Sequence, residues 1–363
     1  MVVVKMGSAQ REAMLYESLS SGAVRCHVCA RRCTIAPGRT GYCRVRKNSD
    51  GVLYTQNYGY VSSEAIDPVE KKPLYHILPG TATYSLGTFG CNFSCLHCQN
   101  HRISMPDESV YSAVLSETGL SRFGEIITPD EVVQRALLLD TKSVSFTYNE
   151  PTVWYEFVYD TAAAAKEKDL FVILVTNGYM TPEALEKLAP YIDAYRVDLK
   201  SFSDDFYAQV CSARLEPVLE SISSAKKLGL HIEIVTLIIP GKNDGEDEAE
   251  KAAAWILENL GEETPVHLNA FQPHYRMEDV GPTPGSVLEK LRAVYTKAGL
   301  NYVYIGNMIS EYQNTFCPEC GSLLISRLYS FGERENLNRD EHGFYCASCG
   351  RKIPIFCPED IDF

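Results

Sequence analysis

The sequence predicts an α/β protein built from repeated βα units, for which a partial (βα)6-type TIM barrel and a doubly wound open sheet both fit, with a cysteine-rich N-terminal extension and a C-terminal zinc-ribbon-like appendage. Three observations lead there. Short β-branched runs alternate with helical patterns through the middle of the chain, the signature of repeated βα units. Several helical segments open on clear start signals. The 13 cysteines fall into sets that bracket and enter this alternating region. The boundaries implied are 1–80 for the N-terminal extension, 81–308 for the barrel and 309–363 for the C-terminal appendage.

Strands are expected near 83–88, 143–148, 171–176, 193–198, 231–238, 265–271 and 301–306. Helices are expected at about 129–140, 152–168, 182–189, 215–229, 246–260 and 285–299. Thr128-Pro129-Asp130-Glu131 and Thr181-Pro182-Glu183 each supply an N-cap threonine, a proline at the first helical position and acid in the first turn. About six parallel strands with crossover helices can close partly or fully into a barrel, and a doubly wound open sheet fits the same alternation. In either architecture, ligands gather at the carboxyl ends of the strands.

Composition narrows the function classes. The chain has 363 residues, 45% hydrophobic and 22% charged, enough for one large core with small appendages. Its apolar runs are strand-length and interrupted, well short of the roughly 20 residues of a membrane span. The opening MVVVKMGSAQREAMLYE turns polar and helix-like after a few apolar residues, without the longer apolar stretch of a secretory signal. A soluble, cytoplasmic protein with no membrane partner is the expectation. A formal net charge of -13 argues against a nucleic-acid partner, whose phosphates require clustered Lys and Arg. Without an export signal the cysteines read as metal ligands or redox groups rather than disulfides.

The motif GCNFSCLHCQN (90–100) places Cys91, Cys95 and Cys98 in a loop just after a strand. Three thiolates can hold three irons of a [4Fe-4S] cubane, leaving the fourth iron open to a small molecule. A zinc site completed by His97 or His101, or a loop of free thiols, is the alternative.

Cys-x3-Cys-x2-Cys after the first strand of a βα series resembles the radical S-adenosylmethionine (SAM) superfamily. The resemblance implies that the open iron chelates the amino and carboxylate groups of SAM. One electron from the cluster then cleaves the sulfonium, and the 5′-deoxyadenosyl radical takes a hydrogen atom from the substrate. Later strand ends carry matching motifs. In FTYNEPT (146–152), Glu150 stands where the superfamily accepts the SAM amino group, although Tyr148-Asn149 replaces two glycines. LVTNG (174–178) offers Thr176 and Asn177 to the SAM site, and RVDLK (196–200) places Asp198 and Lys200 near the SAM carboxylate. IIPGKND (238–244) and FQPHYRM (271–277) follow, with His274 implied against the adenosyl group, and NYVYIGN (301–307) as a last strand near the adenine.

The whole chain is similar to the radical SAM enzymes of the AmmeMemoRadiSam system, related to the activating enzymes of pyruvate formate-lyase and other glycyl radical enzymes. CHVCARRCTIAPGRTGYCRVRKN (26–48), DPVEKKPLYHILPG (67–80), YNEPT, DLKSF, CPECG and CASCG all take part in this likeness. It implies a protein or peptide substrate and a reductase or a flavodoxin- or ferredoxin-like electron donor. A radical SAM enzyme acting on a small molecule, or a noncatalytic metal-binding or electron-transfer protein, are the alternatives.

Two flanking sets remain. Cys26, Cys29, Cys33 and Cys43 suffice for a closed zinc site or a second iron–sulfur cluster. Cys317, Cys320, Cys346 and Cys349 form two Cys-x2-Cys knuckles of a zinc ribbon, for which zinc is the favoured ion. Cys211 and Cys357 have no evident partner, and Glu70, Lys71 and His76 receive no role beyond shaping the mouth of the site.

Overall fold

The computed structural model describes residues 10–107, 111, 124–328, 331–359 and 361. Its centre is an eight-stranded sheet whose neighbours follow chain order: β1 (Ser63–Pro68), β2 (Ala82–Gly87), β3 (Ser143–Phe146), β4 (Phe171–Thr176), β5 (Ala194–Asp198), β6 (His231–Ile238), β7 (Val266–Ala270) and β8 (Val303–Gly306). β2 to β8 run parallel, and β1 pairs antiparallel with β2. The order never reverses, as it does at the switch point of a doubly wound sheet.

β1 lies in the stretch read as N-terminal extension and was not expected as a strand. Its sequence SEAIDP is polar, exposes Ile66 and ends in proline, all features of an edge strand that propensity hides. The opening residues also differ. The stretch read as helix-like forms the short strands Arg11–Glu12 and Tyr16–Ser18, because each finds a partner in Val52–Thr55 and Val24–Cys26 respectively. Residues 1–9 lie outside the described residues.

The crossover helices are α1 (Pro129–Leu138), α2 (Tyr155–Lys166), α3 (Pro182–Leu188), α4 (Glu216–Lys227), α5 (Glu246–Leu260) and α6 (Gly285–Ala298). Thr128 accepts from the Glu131 amide and Glu131 returns the bond, a complete capping box. Thr181 accepts from the Ala184 amide in the same way at α3.

The strand period of two sends Val172, Leu174, Tyr195, Val197, Ile234 and Leu268 to the main core, against Phe157, Ile222, Ile256 and Leu291 of the helices. Each such fully buried side chain contributes about 1.5–3 kcal/mol. The N-terminal extension joins this core through Val24, Val28, Ile35 and Leu53.

Ile173, Ala194 and Tyr304 instead share a second core with Leu74, Ile77, Leu324, Phe344 and Ile353, so residues 69–78 and the C-terminal module cover the sheet's other face. Fully buried Glu233 pins residues 75 and 76 there, accepting from the Tyr75 and His76 amides at 2.9 and 2.8 Å and bonding His231 and His267 at 3.0 and 2.7 Å. Arg327 of the C-terminal module reaches the Tyr75 carbonyl at 2.9 Å.

Candidate functional site

At the carboxyl ends of β2 to β6 the sheet opens on a cavity of about 330 Å³. Cys91, Cys95, Cys98, Glu150, Thr176, Asn177, Asp198 and Lys200 all line it, Thr176 and Asp198 as the last residues of β4 and β5 and the others from segments that follow strands. His274 does not. It is exposed, at the start of a one-turn helix after β7, and the structure does not bring it to the cavity. Its neighbour Tyr275 stacks on His101 at 4.5 Å instead.

The loop carrying the three cysteines is anchored at several points. Gly90 has φ +92°, and an added Cβ would stand 2.7 Å from the Cys43 carbonyl oxygen, so only glycine fits. Phe93 N–H points to the Cys91 sulfur at 3.3 Å, and the Asn177 amide approaches the same sulfur at 3.8 Å. Asn177 also donates to Asn92 at 2.7 Å. The three thiols are free of disulfides.

Glu150 is buried. Its Oε1 accepts from the Thr152 amide, the Thr152 hydroxyl and the Thr176 hydroxyl at 2.9, 2.5 and 2.7 Å, and its Oε2 from the Asn177 amide at 2.8 Å. Burial raises its pKa, and these donors act against that rise. Oε2, with one donor, keeps acceptor capacity for a cationic ligand.

Asp198 sits between Arg196 and Lys200, bonded to the first and 3.2 Å from the second. Burial pushes the Asp198 carboxyl up, but the two cations outweigh it and hold it below the usual carboxylate range. For Lys200 the loss of solvation is likewise outweighed, chiefly by Asp198, and its pKa is raised, so the amine stays charged.

Sequence reasoning missed several residues around this site. Asn149 accepts from the Thr88 amide at 3.0 Å and donates to the Gly90 carbonyl at 2.7 Å. Tyr148 adopts φ +71°, as a glycine readily would, and its hydroxyl donates to Asp67 at 2.9 Å, which Lys72 also reaches at 2.7 Å. Arg196 was legible two positions before Asp198, on the same face of β5. Cys211, read as partnerless, lies against Cys95: a hydrogen bond from Cys211 is the main cause holding the Cys95 thiol below its usual pKa. Asn243 of the IIPGKND loop donates to the Lys200 carbonyl at 2.7 Å and so positions that strand end. Cys357 directs its thiol to the Ile361 carbonyl at 3.7 Å.

Beside this cavity lies another of about 240 Å³, sharing Lys71, Pro73, Asn269 and Asn307 and reaching Glu70 and Arg327. Glu70 accepts from the Gly80 amide at 2.8 Å, its Oε2 has no partner among the described residues, and burial pushes its carboxyl up to about 7. His76 points elsewhere, bonding Tyr304 at 2.6 Å within the second core.

At the C-terminus, Cys317, Cys320, Cys346 and Cys349 bring their sulfurs within 4.8 Å of one another, with 3.6 Å for Cys317–Cys349 and for Cys320–Cys346. Metal–sulfur bonds of about 2.3 Å in a tetrahedron set sulfurs ~3.8 Å apart, so these four fit one ion. Among the described residues, no three of the other cysteines, histidines and acids are gathered so tightly. The core thiols are thus not collapsed around a single ion. A cubane suits them better, because each sulfur then binds a different iron and the metal–metal edge spreads the ligands. The fit extends to the rest of the cavity: a buried carboxylate for an ammonium, and a paired lysine for a carboxylate.

The profile of the Radical SAM superfamily matches residues 85–256. An uncharacterised protein of Methanocaldococcus jannaschii is 46% identical over 348 residues, 95% of this chain and 99% of that protein. The pyruvate formate-lyase 1-activating enzyme of Escherichia coli (strain K12) is 18% identical over 229 residues, 58% of this chain and 87% of that enzyme. No helix among the described residues is long and apolar enough to cross a membrane. A three-cysteine loop after β2, charged anchors at the next strand ends and a profile match over the same stretch converge on one conclusion: this chain belongs to the radical SAM superfamily, and is an enzyme.

Proposed function

We propose that the chain binds SAM beside an iron–sulfur cluster held by Cys91, Cys95 and Cys98, cleaves it reductively and abstracts a hydrogen atom from a protein or peptide. One observation carries this reading: the three thiols share a cavity with a buried carboxylate and a charged lysine supplied by successive strand ends. A [4Fe-4S] cluster held by Cys91, Cys95 and Cys98 would supply the single electron for reductive cleavage of SAM, the source of the hydrogen-abstracting radical.

The chain's own residues bind and orient. Glu150, fixed by four donors, presents its remaining acceptor to the SAM ammonium. Lys200, held by Asp198, meets the SAM carboxylate. Asn177 steadies both the Cys91 sulfur and Asn92, so the cluster loop and the SAM site move as one unit. Val235 and Leu237 give the cavity an apolar wall that limits water. The chain-order topology supports a partial (βα)6 barrel over 81–308 as the frame, with 1–80 and 309–363 as extensions. Zinc in the C-terminal four-sulfur site pins the module that covers the sheet. A flavodoxin- or ferredoxin-like reductant completes the electron supply.

The similarity to pyruvate formate-lyase 1-activating enzyme supports a protein substrate. A small-molecule substrate is favoured by one feature, the adjoining cavity of about 240 Å³. The test is anaerobic: reconstituted protein, SAM and dithionite, with 5′-deoxyadenosine measured. Formation supports the reading, and intact SAM with a full cluster overturns it. A candidate protein that then gains a persistent radical identifies an activase, whereas a stoichiometric small product identifies the second reading.

A further inference from the structure

Cys26, Cys29, Cys33 and Cys43 line a cavity of their own, distinct from that of Cys91, Cys95 and Cys98. The four come from separate turns of the N-terminal extension: the end of strand Val24–Cys26, the turn after it, and a second turn that brings back Cys43. None is in a disulfide. At Gly41, an added Cβ would lie 3.8 Å from the Cys33 sulfur and 3.2 Å from Ile35, so the backbone closes tightly on the site.

No three of these sulfurs lie within 4.8 Å of one another, whereas the C-terminal four all do. That spread is wider than the ~3.8 Å between ligands on one tetrahedral ion, and because the space between the sulfurs is about 20 Å³, little more than one water, the turns that carry them must open to admit a larger group.

Two buried donors on lining residues lack partners among the described residues: Nε of Arg46 and Nδ2 of Asn92. Arg46 is otherwise spent on buried Glu156, its Nη2 reaching both carboxylate oxygens at 2.7 Å, and its Nη1 lies 3.9 Å from the Cys26 sulfur. Unmatched buried donors beside sulfur suit an anionic cluster with several sulfur acceptors.

The site also abuts the core loop. Asn92 follows Cys91 directly and lines the N-terminal cavity. Arg31, on the same wall, donates to the Asn92 carbonyl at 2.8 Å, and the Tyr42 hydroxyl meets Ser94 at 2.7 Å. The Cys43 carbonyl packs on Gly90. The hairpin is pinned to the strand end beyond Asn177, with Ala30 N–H donating to Tyr179 at 2.9 Å and Cys29 bridged to Met180.

We propose that Cys26, Cys29, Cys33 and Cys43 hold a second [4Fe-4S] cluster, placed behind Cys91 to pass single electrons to the core cluster. The electron comes from an external low-potential one-electron donor. It reduces the N-terminal cluster by one unit and then the core cluster by one unit, and no proton or bond is transferred. The inference rests on the core reading above for its electron acceptor, but not for its metal content.

The test counts metals in the full chain after anaerobic reconstitution. About eight irons with eight sulfides and one zinc are expected, and about four irons with two zincs would overturn the proposal. The variant with Cys91, Cys95 and Cys98 all changed to serine should keep about four irons, which Cys26→Ser and Cys43→Ser then remove. If instead the core reading is the one that fails, wild type and core variant carry the same four irons. After dithionite reduction, electron paramagnetic resonance of the wild type should show spin–spin broadening that is absent from either variant. Two clusters without that coupling would refute the electron-passing role.

Discussion

Asn149 clips the loop that carries the first cluster cysteine: its side-chain nitrogen donates to the Gly90 carbonyl at 2.7 Å. Its oxygen takes the Thr88 amide at 3.0 Å, so one side chain spans the turn from β2 into the cluster loop. This accounts for the departure from a pair of glycines before Glu150. The superfamily position is filled by a side chain that fastens the loop from outside, while Tyr148 takes the left-handed backbone conformation.

Asn149→Ala should therefore leave the Thr88 amide and the Gly90 carbonyl unpaired, at a cost of about 1–3 kcal/mol. The expected outcome is a lower unfolding midpoint together with faster iron loss under anaerobic gel filtration. Unchanged iron retention would remove the clip from the account of the site.

Glu150→Gln keeps the size of the side chain and removes its charge. SAM affinity should fall by about 1–3 kcal/mol, roughly 5- to 150-fold, with the cluster retained. Anaerobic calorimetry reads the affinity and absorbance reads the cluster. An equal affinity would place the SAM ammonium elsewhere.

Glu156→Leu strips the buried Arg46 of its carboxylate partner. An uncompensated buried charge costs about 3–5 kcal/mol, and the denaturation midpoint should drop accordingly. Lys142→Ala, at an exposed ion pair with Asp140, should shift it by under about 1 kcal/mol.

Acid should destabilise the fold through His76. Burial drives its pKa down to about 3, with Arg327 and His231 adding to the fall and Glu233 opposing it. Folded His76 is thus neutral where an unfolded histidine, near 6.5, begins to take a proton. Stability is fully present above about pH 6.5 and is lost as pH falls from there toward 3, by at most ~1.4 kcal/mol per pH unit. Denaturation midpoints at pH 7 and pH 5 measure this, and His76→Gln should flatten the difference. An equal slope in that variant would assign the acid sensitivity to other groups.

Cys320→Ser should release the C-terminal ion and lower the thermal midpoint, because Cys317 and Cys346 are part of the second core. Zinc per chain should fall by about one, with core iron unchanged. Loss of iron instead would tie these sulfurs to the cluster.

Much of this was legible in the chain. Seven of the sheet strands announced themselves as short β-branched runs set between helical patterns, and two of the helices through the threonine caps Thr128 and Thr181. The convergence of Cys91, Glu150, Thr176 and Asp198 followed from their shared placement at the carboxyl ends of strands. β1 stayed hidden because an edge strand such as SEAIDP needs no apolar run. Asn149 and Cys211 were missed because their partners, Gly90 and Cys95, lie 59 and 116 positions away in the chain, and no local pattern encodes such a contact. His274 was placed by order alone, and the backbone after β7 carries it outward.

The covering of the sheet by residues from 315 onward also sets an order of assembly. Every strand from β1 to β8 leaves the ribosome before the segment that closes over it. Until Leu324, Phe344 and Ile353 arrive, Glu233 and Tyr304 border an unsealed interior. An ion held by Cys317, Cys320, Cys346 and Cys349 would accordingly be captured only after the whole sheet has been made, and would lock the cover in place rather than nucleate the fold beneath it.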